Sequence, residues 1–262
     1  MTQLGKVHLI GAGPGDPELL TCKALRLLKE VDVVVYDRLV SPEIMALIPA
    51  TTRLVAVGKE AGYHCVPQHR INEILVELAS GGLRVARLKG GDPLIFGRGS
   101  EEAAELEASG IPYDYVPGIT AAQGAASSTH VPLTHRGLAT GVRYVTGHRA
   151  KDADLDLDWD SLTSPETTLV VYMGAANMVT ISAELIARGL PASTPAMAIA
   201  SATTPRERRV VGQLDTIAEA ATGLKAPVLF FIGEVVSLYK AEEAHGLPVS
   251  DWLERHGLAA HA

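Results

Sequence analysis

The chain has 262 residues, of which 47% are hydrophobic, 20% charged and 5% aromatic, enough for one large or two compact globular domains. Its net charge of −7 is lopsided: residues 1–151 carry 16 Lys and Arg against 15 Asp and Glu, whereas residues 152–262 carry 7 against 15. The lack of a dense basic stripe and the scarcity of aromatics argue against nucleic acid as a partner, while a near-neutral first half permits a polyanionic small molecule there.

Apolar runs such as VDVVVY and APVLFFI are far shorter than the roughly 20 residues of a membrane span. The start MTQLGKVHLIGAG lacks the basic and apolar regions of a signal peptide. The two cysteines, Cys22 and Cys65, have no metal or disulfide spacing, which points to a reducing cytoplasm and no metal site.

Val7–Ile10 is a short apolar run ending in glycines and reads as a buried strand. Residues 17–30 (PELLTCKALRLLKE) place apolar side chains at helical spacing, with Asp16 as N-cap and Pro17 in the first turn. Strands follow at 31–36, 53–57, 83–88 and 113–116. Between them lie helices at 42–48, 67–80, 101–109 and 120–128, the one at 101 capped by Ser100. This alternation predicts a mostly parallel sheet covered on both faces. Residues 129–141 (THVPLTHRGLATG) break the pattern and read as a linker between domains 1–128 and 142–262. The second domain shows strands at 142–146, 168–172, 196–200, 208–211 and 227–232, and helices at 175–188 and 214–221. The gap TTPRER is too short for a helix, so its flanking strands should be antiparallel.

Gly-Asp-Pro occurs twice, at 15–17 and 91–93, each time after an apolar run ending in glycine. GAGPGD (11–16) followed by Asp37 at the next strand end invites a dinucleotide reading. However, position 16 is not the glycine that G-x-G-x-x-G requires. In KGGDPLIFGRG (89–99), Arg98 stands between two glycines, where nothing obstructs bidentate carboxylate binding. THRG (134–137) sets Arg136 beside a glycine after His135. VTGH (145–148) and YMG (172–174) close two further strands, and Met173 there is core filler or the lining of a pocket for a sulfur-bearing ligand. DADLDLDWD (152–160) lacks the glycine and glutamate of a calcium loop and reads as a solvated acidic segment.

Taken in order, VHLIGAGPGDPELLT, VDVVVYDRLVS, VGKEAGYHCVPQHRIN, RLKGGDPLIFGRGSEE, VPGITAA, VPLTHRG, VTGH and YMG resemble the tetrapyrrole methylase superfamily, and within it the uroporphyrinogen-III C-methyltransferases. The resemblance runs from residue 7 to about 240. Departures are mild: Gly58-Lys59-Glu60, His64-Cys65, Ser100 and Ser201-Ala202-Thr203 replace commoner choices, and Ser201 leaves one polar contact open. The resemblance implies two α/β domains with a ligand cleft between them, the second sheet mixed, in a homodimer. It implies S-adenosyl-L-methionine (SAM) as cofactor and S-adenosyl-L-homocysteine as its product. The implied reaction methylates uroporphyrinogen III at C-2 and C-7 to precorrin-2, for sirohaem- or cobalamin-type tetrapyrroles. Larger relatives add a dehydrogenase–chelatase domain, whose activities are not expected here. A C-methyltransferase acting on a later corrin intermediate and, from another class, a dinucleotide-dependent oxidoreductase are the alternatives.

By the same resemblance Pro14, Gly90, Gly91, Asp92, Ile95, Thr120, Ala121, Met173 and Ala202 line the SAM pocket. Arg98 and Arg136 clamp substrate carboxylates, with Arg38, Lys59 and Arg149 as further candidates. Glu101 is the expected partner of a pyrrole N–H and acceptor of a proton, and Asp16 is the rival base.

Overall fold

The computed structural model describes residues 4–58, 66–148 and 155–241. Lys59 and Arg149 lie outside the described residues. The chain divides into two compact units, with the division between Ala121 and Ala122. The sequence reading ended the first domain at residue 128.

The first unit is built on five strands, β1 (Val7–Gly11), β2 (Val33–Tyr36), β3 (Arg53–Ala56), β4 (Val85–Lys89) and β5 (Tyr113–Val116). They pair in the order β3-β2-β4-β1-β5, every pair parallel. Helices α1 (Cys22–Glu30), α2 (Pro42–Met45), α3 (Gln68–Ser80) and α4 (Gly99–Ala108) return the chain between strands. Side chains alternate across each strand, so Ile10, Val34, Ala86 and Leu88 pack with Ala24, Leu27 and Leu28 of α1. Val7, Leu9, Val33, Val35 and Val85 face the other way, onto Ile71 and Leu75 of α3 and Leu106 of α4. The helices after the neighbouring strands β1 and β4 therefore cover opposite faces. This is the topological switch point of an open parallel sheet, where the strand ends form a crevice for ligands.

The segment after β1 is not one helix as its periodicity suggests. Asp16 caps only a 3-10 turn, Pro17–Leu19, and Thr21 separately caps α1 through Ala24 N. Nor does Ser100 cap α4: the helix begins at Gly99 and Arg98 stands at its N-cap position in left-handed conformation, with φ 58°.

The second unit opens with α5 (Ala121–Thr129), whose residues from Ala122 onward belong to it. The Ala122 amide donates to the Tyr172 hydroxyl at 3.2 Å, and the Arg209 guanidinium donates to the Ser128 carbonyl at 2.7 Å. These bonds seat α5 on the second sheet. That sheet contains β6 (Gly141–Thr146), β7 (Thr167–Tyr172), β8 (Pro195–Ala200), β9 (Arg208–Gln213) and β10 (Val228–Ile232), in the order β6-β7-β10-β8-β9. It is mixed: β6 and β7 are parallel, the other pairs antiparallel, including the β8–β9 pair expected from the short gap between them. Helices α6 (Met178–Ala187) and α7 (Ile217–Ala220) close its core around Phe230, Ala198 and Ile181.

Candidate functional site

In the first unit the two Gly-Asp-Pro loops follow β1 and β4, the strands at the switch point. They bond directly to each other: Gly13 N donates to Gly91 O at 3.1 Å and Gly91 N to Gly13 O at 2.7 Å. The loop after β5 joins them, because Gly118 N donates to the Asp92 carboxylate at 3.0 Å. The approach is backbone on backbone. A Cβ at Gly118 would lie 2.2 Å from the Gly91 carbonyl oxygen and 2.9 Å from Gly11 Cα, so no larger residue fits without moving a loop. The loop after β2 is tied in by Ser41, whose buried hydroxyl donates to Gly15 O at 2.6 Å and caps α2.

Pro14, Asp16, Arg38, Gly90, Gly91, Asp92, Ile95, Arg98, Glu101, Thr120 and Ala121 all lie on these strand-end loops or on the first turns after them. Asp92 is occupied by backbone amides, Leu94 N on one oxygen and Gly118 N on the other, so its carboxylate shapes the loop. Pro14, Gly90, Gly91, Ile95, Thr120 and Ala121 are neutral and half-buried. A ligand that brings its own positive charge, such as a sulfonium, meets backbone groups and small side chains there and no competing cation among these residues.

Arg98 and Glu101 form a bidentate ion pair, Nε to Oε1 at 2.9 Å and Nη2 to Oε2 at 2.7 Å. Arg98 is thus already partnered, and its neighbouring glycines have a different reason from the one read in the sequence. A Cβ at Gly97 or Gly99 would lie 2.7 or 2.6 Å from the Pro93 carbonyl oxygen. The pair stays accessible, its side chains 55% and 52% exposed. The Arg98 hydrogen bond holds the Glu101 carboxyl below the usual carboxylate range. Burial pushes Asp16 the other way, upward, partly offset by the Glu18 amide that donates to it. On the loops after β2 and β4, Leu39, Leu94 and Phe96 are 55%, 56% and 40% exposed. Phe96, like Arg98, has positive φ, at 51°. Such strain in L-residues tends to collect at functional sites.

In the second unit the parallel strands β6 and β7 end in a similar joint. Asn177 donates to Gly147 O at 2.7 Å and Gly147 N to Tyr172 O at 2.7 Å. Met173, 50% exposed with φ 53°, follows β7. Buried Ala202 follows β8 between Ser201 (φ 50°) and Thr203 (φ 64°). Since β10 runs antiparallel to both β7 and β8, Met173 and Ala202 emerge at the same edge of this sheet. Arg136 is exposed in a turn closed by the His135–Ala139 bridge.

Sequence reasoning missed a buried charge cluster under the first site. Arg87 and Lys89 alternate on β4, and both reach Glu102 of α4, which is 0% exposed. Two cations at alternate positions in an otherwise apolar strand, VARLK, were the available signal.

The family model for tetrapyrrole (corrin/porphyrin) methylases matches residues 6–218. The chain belongs to the tetrapyrrole methylases. It is 60% identical over 260 residues to a uroporphyrinogen-III C-methyltransferase from Paracoccus denitrificans, covering 98% of this chain and 90% of that protein. It is 52% identical to a siroheme synthase from Nitrosospira multiformis over 90% of this chain but spans only 50% of that relative's length. Among solved structures, uroporphyrin-III C-methyltransferase from Thermus thermophilus complexed with S-adenosylhomocysteine superimposes with a TM-score of 0.77. The identity is 43%, covering 90% of this tetrapyrrole methylase and 100% of the other chain.

Proposed function

We propose that this tetrapyrrole methylase moves two methyl groups from SAM to C-2 and C-7 of uroporphyrinogen III, giving precorrin-2. The observation that carries the reading is the 60% identity, across nearly the whole chain, with a relative bearing that activity in its name. The strand-end geometry supports it. When bound, SAM supplies an electrophilic methyl group on a sulfonium. Pro14, Gly90, Gly91, Ile95, Thr120 and Ala121 of the first unit would hold it, while Asp92 fixes the loop that carries Gly90 and Gly91; Met173 and Ala202 are assigned the same role from the sequence alone.

The acceptor is a flexible reduced macrocycle with eight carboxylates, whose pyrrole carbons are already electron-rich. The protein's task is therefore orientation and exclusion of water more than acid–base activation. Arg98, Arg136 and Arg38 bind acetate or propionate groups. Lys59 and Arg149 are assigned the same role from the sequence alone. Leu39, Leu94 and Phe96, exposed on the strand-end loops of the first unit, offer apolar surface to the ring. Glu101 bonds a pyrrole N–H and receives the proton that the ring loses after methylation. Asp16 is the competing acceptor. The enzyme acts in the cytoplasm as a homodimer, without nucleic acid or membrane.

Calorimetric titration with S-adenosylhomocysteine and with NAD tests the cofactor assignment. Saturable binding of the first and none of the second is expected. The reverse would reinstate the dinucleotide reading. Turnover of a later corrin intermediate in place of uroporphyrinogen III would move the enzyme elsewhere in the same family.

A further inference from the structure

The Arg87–Lys89–Glu102 cluster has no part in the chemistry just described, yet it is the most buried group of charges among the described residues. One oxygen, Glu102 Oε1, accepts from Arg87 Nε at 3.0 Å, Lys89 Nζ at 2.8 Å and Gln68 Nε2 at 3.2 Å. Its other oxygen is buried with no hydrogen-bond partner. Arg87 reaches on to Asp37 at 3.5 Å. Burial and the nearby Arg87 lower the Lys89 pKa, which shows how unfavourable the location is for a cation. Arrangements like this are a poor way to gain stability, since apolar replacements of the same volume usually do as well or better. Their better-attested use is to enforce one geometry among several.

The cluster lies where it can enforce geometry on the substrate side of the site. Glu102 directly follows Glu101, and successive helical residues project about 100° apart. Turning Glu102 inward onto Arg87 and Lys89 thus turns Glu101 outward, where it pairs with Arg98. Asp37 directly precedes Arg38, and its other oxygen accepts from Leu39 N at 2.9 Å. One knot of charges therefore grips the segments of Arg38 and Arg98, the two arginines of the first unit assigned to substrate carboxylates. The SAM-side loop is held differently. Its backbone is fixed by the Gly13–Gly91 bonds, by Ala12 N to Lys89 O at 2.7 Å, and by Asp92 with Gly118.

We propose that Glu102, through Arg87 and Lys89, is a positioning residue that orients Arg98, Glu101 and Arg38 toward the tetrapyrrole, and that it does not act on SAM. The proposal rests on the methylation reading above. Two variants test it: near-isosteric Glu102→Gln, and the double variant Lys89→Met with Glu102→Met, which leaves Arg87 its Asp37 partner. For each, KM and kcat for uroporphyrinogen III, the Kd for S-adenosylhomocysteine and the melting temperature are measured. A rise in tetrapyrrole KM of at least tenfold is expected in folded protein, with the S-adenosylhomocysteine Kd within about threefold of wild type. A folded variant with wild-type KM overturns the proposal. So does a KM and Kd that worsen together, or failure of both variants to fold, because each makes the cluster a general structural element. Wild-type protein is assayed first. No turnover there refutes the methylation reading and this proposal with it, whereas wild-type turnover with unchanged variant KM refutes the proposal alone.

Discussion

The two units bring strands to an edge and join the loops there through glycines, but they dress the edges differently. In the first, an all-parallel sheet ends in ionisable groups: Asp16, Arg38, Arg98 and Glu101. In the second, a mixed sheet, the residues directly after β7 and β8 are Met173, Ser201, Ala202 and Thr203, three of them with positive φ and none charged, while Glu207 and Arg208 reach the same edge at the start of β9. The parallel sheet permits the first arrangement because every loop after a strand opens on the same side, so acidic and basic residues from several loops meet. In the mixed sheet β6, β7 and β8 end at one edge, whereas the loops after β9 and β10 open on the other side, so fewer loops meet there. Under the proposed function, carboxylate recognition falls mainly to the first edge.

The largest break should come from Gly118→Ala. Its Cβ would press on the Gly91 carbonyl and Gly11, overpacking that costs about 1–3 kcal/mol and displaces the loop of Gly90 and Gly91, proposed to hold SAM. S-adenosylhomocysteine binding should fall by more than tenfold in calorimetry. Gly110→Ala is the control: its φ is positive, at 69°, but nothing lies within 4 Å. It should lose about 1–2 kcal/mol of stability and keep its affinity.

Arg98→Ala should come next. A charge-assisted contact contributes about 1.5–3 kcal/mol, so kcat/KM for the tetrapyrrole should drop at least about tenfold while S-adenosylhomocysteine affinity holds. Equal losses in both would erase the distinction between carboxylate recognition and cofactor packing.

The pH profile of kcat/KM separates the two candidate bases. Glu101 is held low by Arg98 and keeps its charge as pH falls through the ordinary carboxylate range. Asp16 is pushed up by burial and is protonated earlier on the same descent. With Glu101 as acceptor, the acid limb lies below the usual carboxylate pKa and disappears in Glu101→Gln. A limb above that range, removed by Asp16→Asn, assigns the role to Asp16. The smallest effect belongs to the second unit. Tyr172→Phe removes the acceptor for the Ala122 amide, and should lower stability by about 1 kcal/mol in denaturant melts with little change in KM.

Much of this was legible in the sequence. Alternating apolar runs and helical spacing gave the parallel sheet, and the TTPRER gap gave the antiparallel β8–β9 pair. The repeated Gly-Asp-Pro marked the two loops that pair. What local pattern could not show was packing between distant residues. The glycines flanking Arg98 looked like clearance for its side chain, but they are required by the Pro93 carbonyl three-dimensionally beside them. Asp16 looked like the cap of a long helix, yet Thr21 restarts the chain five residues later. Nothing in GSEE marks Glu102 as buried; only the fold, which brings Arg87 and Lys89 of β4 to it, does so.

The measurement that tests the central claim most directly is an anaerobic incubation of the protein with uroporphyrinogen III and SAM, followed by mass spectrometry of the tetrapyrrole. A gain of two methyl groups, with S-adenosylhomocysteine formed in a two-to-one ratio to product, is the predicted result. Unmodified tetrapyrrole from protein that still binds S-adenosylhomocysteine would contradict it.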